Sequence, residues 1–273
     1  MSQLLCGICP QNCMLSDGQT GFCRARTRYG DEIRANNYGR ITSMALDPIE
    51  KKPLRRFHPG SMIFSVGSYG CNMSCPFCQN HVISMADDSY DTVTLLPDML
   101  CKKALSIQGN IGVAFTYNEP LIGYEYVRDS AALLKQNGLK TVLVTNGYIN
   151  EQPMSELLPL IDAMNIDLKA FTERYYEKLK AHIEPVKRTI ALCAPRCHVE
   201  VTTLILPTYN DSEEEMRNLS EWLASVDETI PLHISRFFPS YRVHNIEATP
   251  IEKIMRLAQI ARESLQYVYT GNC

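Results

Sequence analysis

Three cysteines stand close together in the stretch Gly70-Cys71-Asn72-Met73-Ser74-Cys75-Pro76-Phe77-Cys78-Gln79-Asn80. Thiolates at this C-x₃-C-x₂-C spacing can grip three irons of a [4Fe–4S] cube. Such cubes normally take four cysteines, so a three-cysteine loop leaves one iron open to an exogenous ligand. Gly70 and the small residues nearby let the loop wrap closely. The competing reading is a zinc site that borrows a fourth ligand, with His81 the nearest candidate. Zinc sites usually pair two knuckles at a distance, whereas this motif stands alone, and the cluster is the preferred reading.

A second group, Cys6-x₂-Cys9-x₃-Cys13-x₉-Cys23, offers four thiolates. That is enough to close a tetrahedral zinc site or to hold a complete second cluster. The spacing calls for a metal without saying which. Cys193 and Cys197 form a looser pair, Cys101 and Cys273 stand alone, and none of these four has a role legible in the sequence. The total of 11 cysteines is odd, and clustered cysteines in a chain that looks cytosolic are metal ligands or catalytic groups rather than disulfides.

Further along, polar residues fall at the ends of apolar runs. In Thr116-Tyr117-Asn118-Glu119-Pro120, Glu119 can accept hydrogen bonds from an ammonium and Asn118 offers an amide. Thr145-Asn146-Gly147 reads as an Asn-Gly turn, a weak signal alone. In Asn165-Ile166-Asp167-Leu168-Lys169, strand alternation puts Asp167 and Lys169 on one face, opposite Ile166 and Leu168. An inward-facing charged pair calls for a polar ligand, because burying it bare is costly. Asp211 is expected to cap a helix, and His233 to be a hydrogen-bonded core histidine. Arg236 is placed either for an anionic partner or for a surface ion pair.

The elements that must position these groups follow from periodicity. Strands are expected over 62–66, 111–116, 141–144, 163–168, 198–206, 232–235 and 267–270. Helices are expected over 97–107, 121–136, 154–160, 172–192, 212–226 and 251–265. About six strand–helix units imply a parallel sheet with right-handed crossovers, as an open sheet or a curved barrel, with ligands at the carboxyl ends of the strands. Residues 1–60 read as a Cys-rich metal-binding segment followed by a β-connector, and 61–273 as the core.

The 273 residues carry a net charge of −3 with 45% apolar and 21% charged residues. This excludes a basic nucleic-acid-coating protein and an acidic disordered chain. No run approaches the length of a membrane span. The start, MSQLLCGICP, lacks the regions of a signal peptide, so a cytoplasmic protein is expected.

C-x₃-C-x₂-C with an aromatic, Phe77, before the third cysteine, set after the first strand of a βα series, resembles the radical S-adenosylmethionine (SAM) superfamily. The resemblance implies a partial (β/α)₆ TIM-like barrel, a [4Fe–4S] cluster on Cys71, Cys75 and Cys78, and SAM chelating the open iron. It implies reductive cleavage to a 5′-deoxyadenosyl radical that abstracts hydrogen. Glu119-Pro120 matches the end of the family's Gly-Gly-Glu-Pro turn, which holds the SAM amino group, but Tyr117-Asn118 replaces the two glycines. Thr145-Asn146-Gly147 resembles the T-N-G of glycyl-radical activating enzymes, with Val144 where those often have Asp. Asp167-Leu168-Lys169 resembles their D-L-K, which implies Lys169 at the SAM carboxylate and Asp167 near the ribose. Phe77, Asn118, Thr145 and Asn146 complete the expected cofactor-binding set.

The amino-terminal C-x₂-C-P-x₂-C block, Tyr38-Gly39-Arg40 and Asp47-Pro48-Ile49-Glu50-Lys51-Lys52-Pro53 are similar to a narrower group. This is the radical SAM member of the AmmeMemoRadiSam system, related to pyruvate formate-lyase activating enzyme. The chain ends at Cys273 without the extra carboxyl-terminal cysteines expected of that group. The implied partners are an electron donor such as flavodoxin or ferredoxin, and a protein substrate or other AmmeMemo-system proteins. Two alternatives are a glycyl-radical enzyme activase and an iron–sulfur electron-transfer protein without SAM chemistry. A zinc-stabilised scaffold is the third. Electron carriers ligate every iron with protein, and a scaffold has no need of Asp167 and Lys169 facing inward, so the SAM enzyme is preferred.

Overall fold

Short apolar runs separated by amphipathic segments build the main sheet. The computed structural model describes residues 3–273. Eight strands form one sheet: β1 (Ser43–Pro48), β2 (Met62–Gly67), β3 (Asn110–Phe115), β4 (Lys140–Thr145), β5 (Ala163–Asp167), β6 (His198–Ile205), β7 (Leu232–Arg236) and β8 (Val268–Gly271). They neighbour one another in chain order, so the sheet curves from β1 to β8 and stays open between them. Strands β2 to β8 run parallel. Helices Pro97–Ser106, Tyr124–Gln136, Glu151–Leu157, Ile183–Cys193, Glu213–Asp227 and Ile251–Ala261 occupy the crossovers. This is the expected partial barrel of six strand–helix units.

Three differences from the expected elements have local causes. The helix expected over 172–192 is two, Glu173–Lys178 and Ile183–Cys193. Lys180 turns the chain at φ 59°, and the amides of Lys180 and Ala181 close back on Glu177 and Tyr176, a helix end of the left-handed kind. Pro185 falls in the first turn of the second helix, where its missing N–H costs little. The helix after Glu119 opens with a 3₁₀ turn, Pro120–Gly123. The cap of Glu213–Asp227 is Ser212, whose side chain accepts from the Glu215 amide. Asp211 instead accepts from the Thr208 amide.

Strand β1 was not expected as part of the main sheet. It lies before residue 61, pairs antiparallel with β2 and ends in Pro48, an edge-strand residue. The sheet therefore runs across the division between connector and core. Past β1 the chain plugs the amino-terminal end of the barrel. Ile49 and Leu54 pack there on Ile63, Ala114, Val142 and Ala163. The larger core lies outside the sheet, where Val113, Phe115, Leu143, Ile166, Val201 and Ile234 meet the helices.

Above the plug the interior is polar. Glu200 is fully buried and accepts from the Arg55 and Arg56 amides at 3.0 and 2.7 Å. It also takes hydrogen bonds from His198 and His233 at 2.9 and 2.5 Å. His233 is therefore the hydrogen-bonded core histidine expected. Arg236 donates to the Thr249 carbonyl at 2.7 Å and lies over the Phe238 ring, fastening the loop after β7.

Candidate active site

The carboxyl ends of β2 to β7 converge on one cavity of about 290 Å³. It is lined by Cys71, Cys75, Phe77, Cys78, Asn118, Glu119, Thr145, Asn146, Asp167 and Lys169, together with Thr202, Leu204 and Ser235. All ten residues expected around the cluster and SAM thus face one space, although they are scattered over nearly a hundred positions of chain.

The cysteine loop follows β2, and donors surround its sulfurs. The Met73 amide donates to the Cys71 sulfur at 3.4 Å and the Asn146 Nδ2 reaches it at 3.7 Å. The Cys78 sulfur lies 3.2 Å from the Ser84 hydroxyl. Burial, Glu119 and Cys75 push the Cys71 thiol well above its ordinary range. Burial also pushes Cys75 up to about 11, against the pull of Lys169. Neutral thiols suit this pocket; thiolates there need cationic iron, and the surrounding N–H groups then stabilise the sulfurs. The donor set fits a cluster.

His81, the alternative fourth zinc ligand, stacks on the Tyr241 ring at 4.3 Å and places its Nδ1 3.2 Å from the Cys78 carbonyl. Among the described residues, no group of three or more His, Cys, Asp and Glu is arranged to hold a single metal ion. A cube places each thiolate on a different iron, so its ligands stand further apart than those of one ion.

Glu119 lies in the loop after β3 and ties that loop to the end of β4. Its carboxylate accepts from the Leu121 amide at 2.9 Å, the Thr145 hydroxyl at 2.8 Å and the Asn146 amide at 2.8 Å. Burial still pushes it up to about 7, because those donors only partly offset desolvation. A cation arriving from the cavity would favour the ionised form.

Asn118 uses its whole side chain within the protein. Its Nδ2 donates to the carbonyls of Tyr69, Gly70 and Glu119, and its Oδ1 accepts from the Ser68 amide. It holds the approach to Cys71. The Tyr117 that replaces a family glycine adopts φ 71° and sends its hydroxyl to Asp47 at 2.9 Å. Asp47 also meets Lys52 at 2.8 Å. The DPIEKKP segment is thus bound to this turn.

On β5, Ile166 and Leu168 are buried outward while Lys169 bonds Asp167 at 2.9 Å inside. Burial would lower the Lys169 ammonium, but Asp167 and Cys75 reverse that and raise it well above its ordinary value. The backbone of Lys169 is fixed by the Tyr176 hydroxyl and by Asn210. Phe77 is buried 6.2 Å from the Tyr175 ring.

Several supporting residues carry no local signal in the sequence. Asn72 donates to the Tyr148 carbonyl at 2.7 Å, and Thr189 donates to the Gly147 carbonyl at 2.8 Å. Their partners are distant in the chain, and Asn or Thr in a loop has many uses.

The radical SAM superfamily profile matches residues 65–222. An uncharacterized protein of Methanocaldococcus jannaschii is 37% identical over 99% of this chain and 82% of its own. The chain belongs to the radical SAM superfamily. The pyruvate formate-lyase-activating enzyme of Clostridium pasteurianum is 26% identical to this radical SAM protein over 72% of the chain and 89% of that enzyme. In fold, Streptococcus suis SuiB bound to S-adenosylmethionine matches with a TM-score of 0.58 at 14% identity, over 77% of this chain and 52% of that one. The protein is accordingly an enzyme of SAM-cleaving chemistry, and its family implies a [4Fe–4S] cluster and SAM as cofactors. No helix among the described residues is long and apolar enough to cross a membrane.

Proposed function

We propose that Cys71, Cys75 and Cys78 hold the [4Fe–4S] cluster, and that the enzyme abstracts hydrogen from a protein substrate. The observation that carries this reading is the convergence of three thiols, Glu119 and the Asp167–Lys169 pair on one cavity at the strand ends. Cys71, Cys75 and Cys78 would hold the cluster, which when bound and reduced would supply the electron for reductive cleavage of SAM and so the means of abstracting hydrogen from the substrate.

The chain's own residues bind and orient. Glu119 takes the SAM ammonium, with the Thr145 and Asn146 donors holding the carboxylate from behind. Lys169 takes the SAM carboxylate, with Asp167, Thr145 and Asn146 on the ribose side. Asn118 fixes the loop between β2 and Cys71, and Phe77 walls the cavity. Cys6, Cys9, Cys13 and Cys23 hold a second metal centre, and an iron–sulfur cluster is favoured over zinc because no group among the described residues is arranged to hold a single ion. A low-potential one-electron donor of the flavodoxin or ferredoxin class reduces the cluster. A protein substrate is supported by the activating-enzyme relatives. A glycyl-radical activase function is the second reading, favoured by Thr145-Asn146-Gly147 and Asp167-Leu168-Lys169.

The test is 5′-deoxyadenosine formation by anaerobically reconstituted protein under dithionite. The wild type should form it and a Cys71→Ala/Cys75→Ala/Cys78→Ala variant should not. Retained cleavage in the triple variant contradicts the assignment.

A further inference from the structure

Tyr117 adopts φ 71°, in the left-handed region that a tyrosine rarely enters. Around it, the Asn118 amide donates to the Thr116 carbonyl at 3.0 Å. A bond that spans a single residue at positive φ closes the rare, strained form of the γ-turn. Strain of this kind persists only where the surroundings over-determine it.

Contacts on three sides hold Tyr117 there. Its hydroxyl donates to Asp47 Oδ2 at 2.9 Å, and the same oxygen accepts from the Lys52 ammonium at 2.8 Å. Asp47 is 8% exposed and Lys52 3%, so this anchor is a buried ion pair rather than a solvated one. The Lys52 ammonium also lies 4.9 Å from the centre of the Tyr117 ring, within cation–π range. The Tyr117 carbonyl accepts from the Asn80 Nδ2 at 2.8 Å, in the stretch that follows Cys78. Gly67, at the end of β2, leaves room for the turn. A Cβ there would stand 2.8 Å from the Thr116 carbonyl oxygen and 2.9 Å from the Tyr117 Cβ. The two residues after Tyr117 then take up their posts: Asn118 on the Gly70 carbonyl beside Cys71, and Glu119 on Thr145 and Asn146 at the cavity wall.

We infer that Tyr117, anchored by Asp47 and Lys52, is a positioning residue for SAM. The buried ion pair holds the γ-turn in its strained form, and the turn aims Glu119 into the cavity. This rests on the reading above in which Glu119 takes the SAM ammonium. Asp47 and Lys52 are not among the residues that line the cavity, yet through Tyr117 they set the geometry of its ammonium-binding wall.

The experiment compares Tyr117→Ala with Tyr117→Gly in the full chain reconstituted anaerobically. Both remove the ring and the hydroxyl, and they differ only in the Cβ that makes φ 71° strained. SAM affinity by equilibrium binding, iron and sulfide per chain, and the urea midpoint are measured on each. Tyr117→Ala should bind SAM about tenfold more weakly than the wild type, the scale of one strained residue let go, with iron and sulfide unchanged. Tyr117→Gly should stay within about threefold of the wild type and unfold at a higher urea concentration than Tyr117→Ala. A role in packing alone predicts the reverse order, because glycine fills less space and leaves the unfolded chain freer. Tyr117→Gly binding SAM no better than Tyr117→Ala overturns the inference. Tyr117→Phe removes only the hydroxyl, so it keeps the test open if Tyr117→Ala does not fold. It should weaken SAM binding, and wild-type affinity in it overturns the Asp47 anchor. Glu119→Gln, measured alongside, separates two failures. Weak SAM binding there with a flat Tyr117 series overturns the positioning role alone. Normal SAM binding by Glu119→Gln overturns the reading of Glu119 and the inference with it.

Discussion

Lys169 and Glu119 answer different questions about SAM. Lys169 is held by its backbone and by Asp167, so removing its ammonium leaves the strand end in place. A charge-assisted hydrogen bond contributes about 1.5–3 kcal/mol. Lys169→Met should therefore weaken SAM binding roughly ten- to a hundredfold with the cluster absorbance retained; unchanged affinity would remove Lys169 from the site. Glu119 also organises the Thr145–Asn146 turn through two of its three hydrogen bonds. Glu119→Gln should lose SAM affinity to a similar degree while the protein stays folded, measured by equilibrium binding alongside circular dichroism. At this scale the sequence made the cavity-facing charged groups legible, because charge at a strand end is conspicuous. It did not reveal that the Asn118 amide is spent on the backbone of Tyr69 and Gly70, nor that the Asn72 carbonyl takes the Gln11 amide while its side chain accepts from Asn146. Those roles depend on partners that only the folded chain brings near.

Turns and strand ends, rather than side chains alone, set the precision of the site. Gly147 adopts φ 67°, and a Cβ there would meet the Ile166 side chain at 2.8 Å. Gly147→Ala should destabilise the protein by about 1–3 kcal/mol and displace Asn146, read as a lower urea midpoint and weaker SAM binding. At the other end of the barrel, burial would raise Glu200, but His198, His233 and the Arg55 and Arg56 amides hold it at about 2, below its ordinary 4.5. A depressed carboxylate stabilises the fold above the unfolded value, and that contribution is lost as pH falls from about 4.5 to about 2. Over that window wild-type stability should fall by roughly 3 kcal/mol from this group, whereas Glu200→Gln should start less stable and lose less. Parallel urea titrations across the window check this; equal slopes would show that Glu200 is not depressed. The strands were legible within a residue or so because apolar runs between turns are unambiguous. Edge strand β1 was not, since SMALDP is short, half polar and ends in Pro48. The break at Lys180 escaped notice because the helical period continues on both sides of it.

Across the whole molecule, the amino-terminal segment packs on the Cys71 loop at Gly70 and Asn72, and six strand ends bring the SAM-facing residues to one mouth. The fold class was legible from alternation and the cofactor from three cysteines, while the contact of the amino-terminal segment with that loop depends on how residues 4–35 pack on the barrel. The central claim is that Cys71, Cys75 and Cys78 carry a cluster with one iron open to SAM. Electron paramagnetic resonance of the anaerobically reconstituted, dithionite-reduced protein tests this most directly. A reduced [4Fe–4S] signal whose spectrum changes on adding SAM, and which is absent from the Cys71→Ala/Cys75→Ala/Cys78→Ala variant, is the predicted result. A signal indifferent to SAM, or one that survives the triple substitution with its SAM response intact, would contradict it.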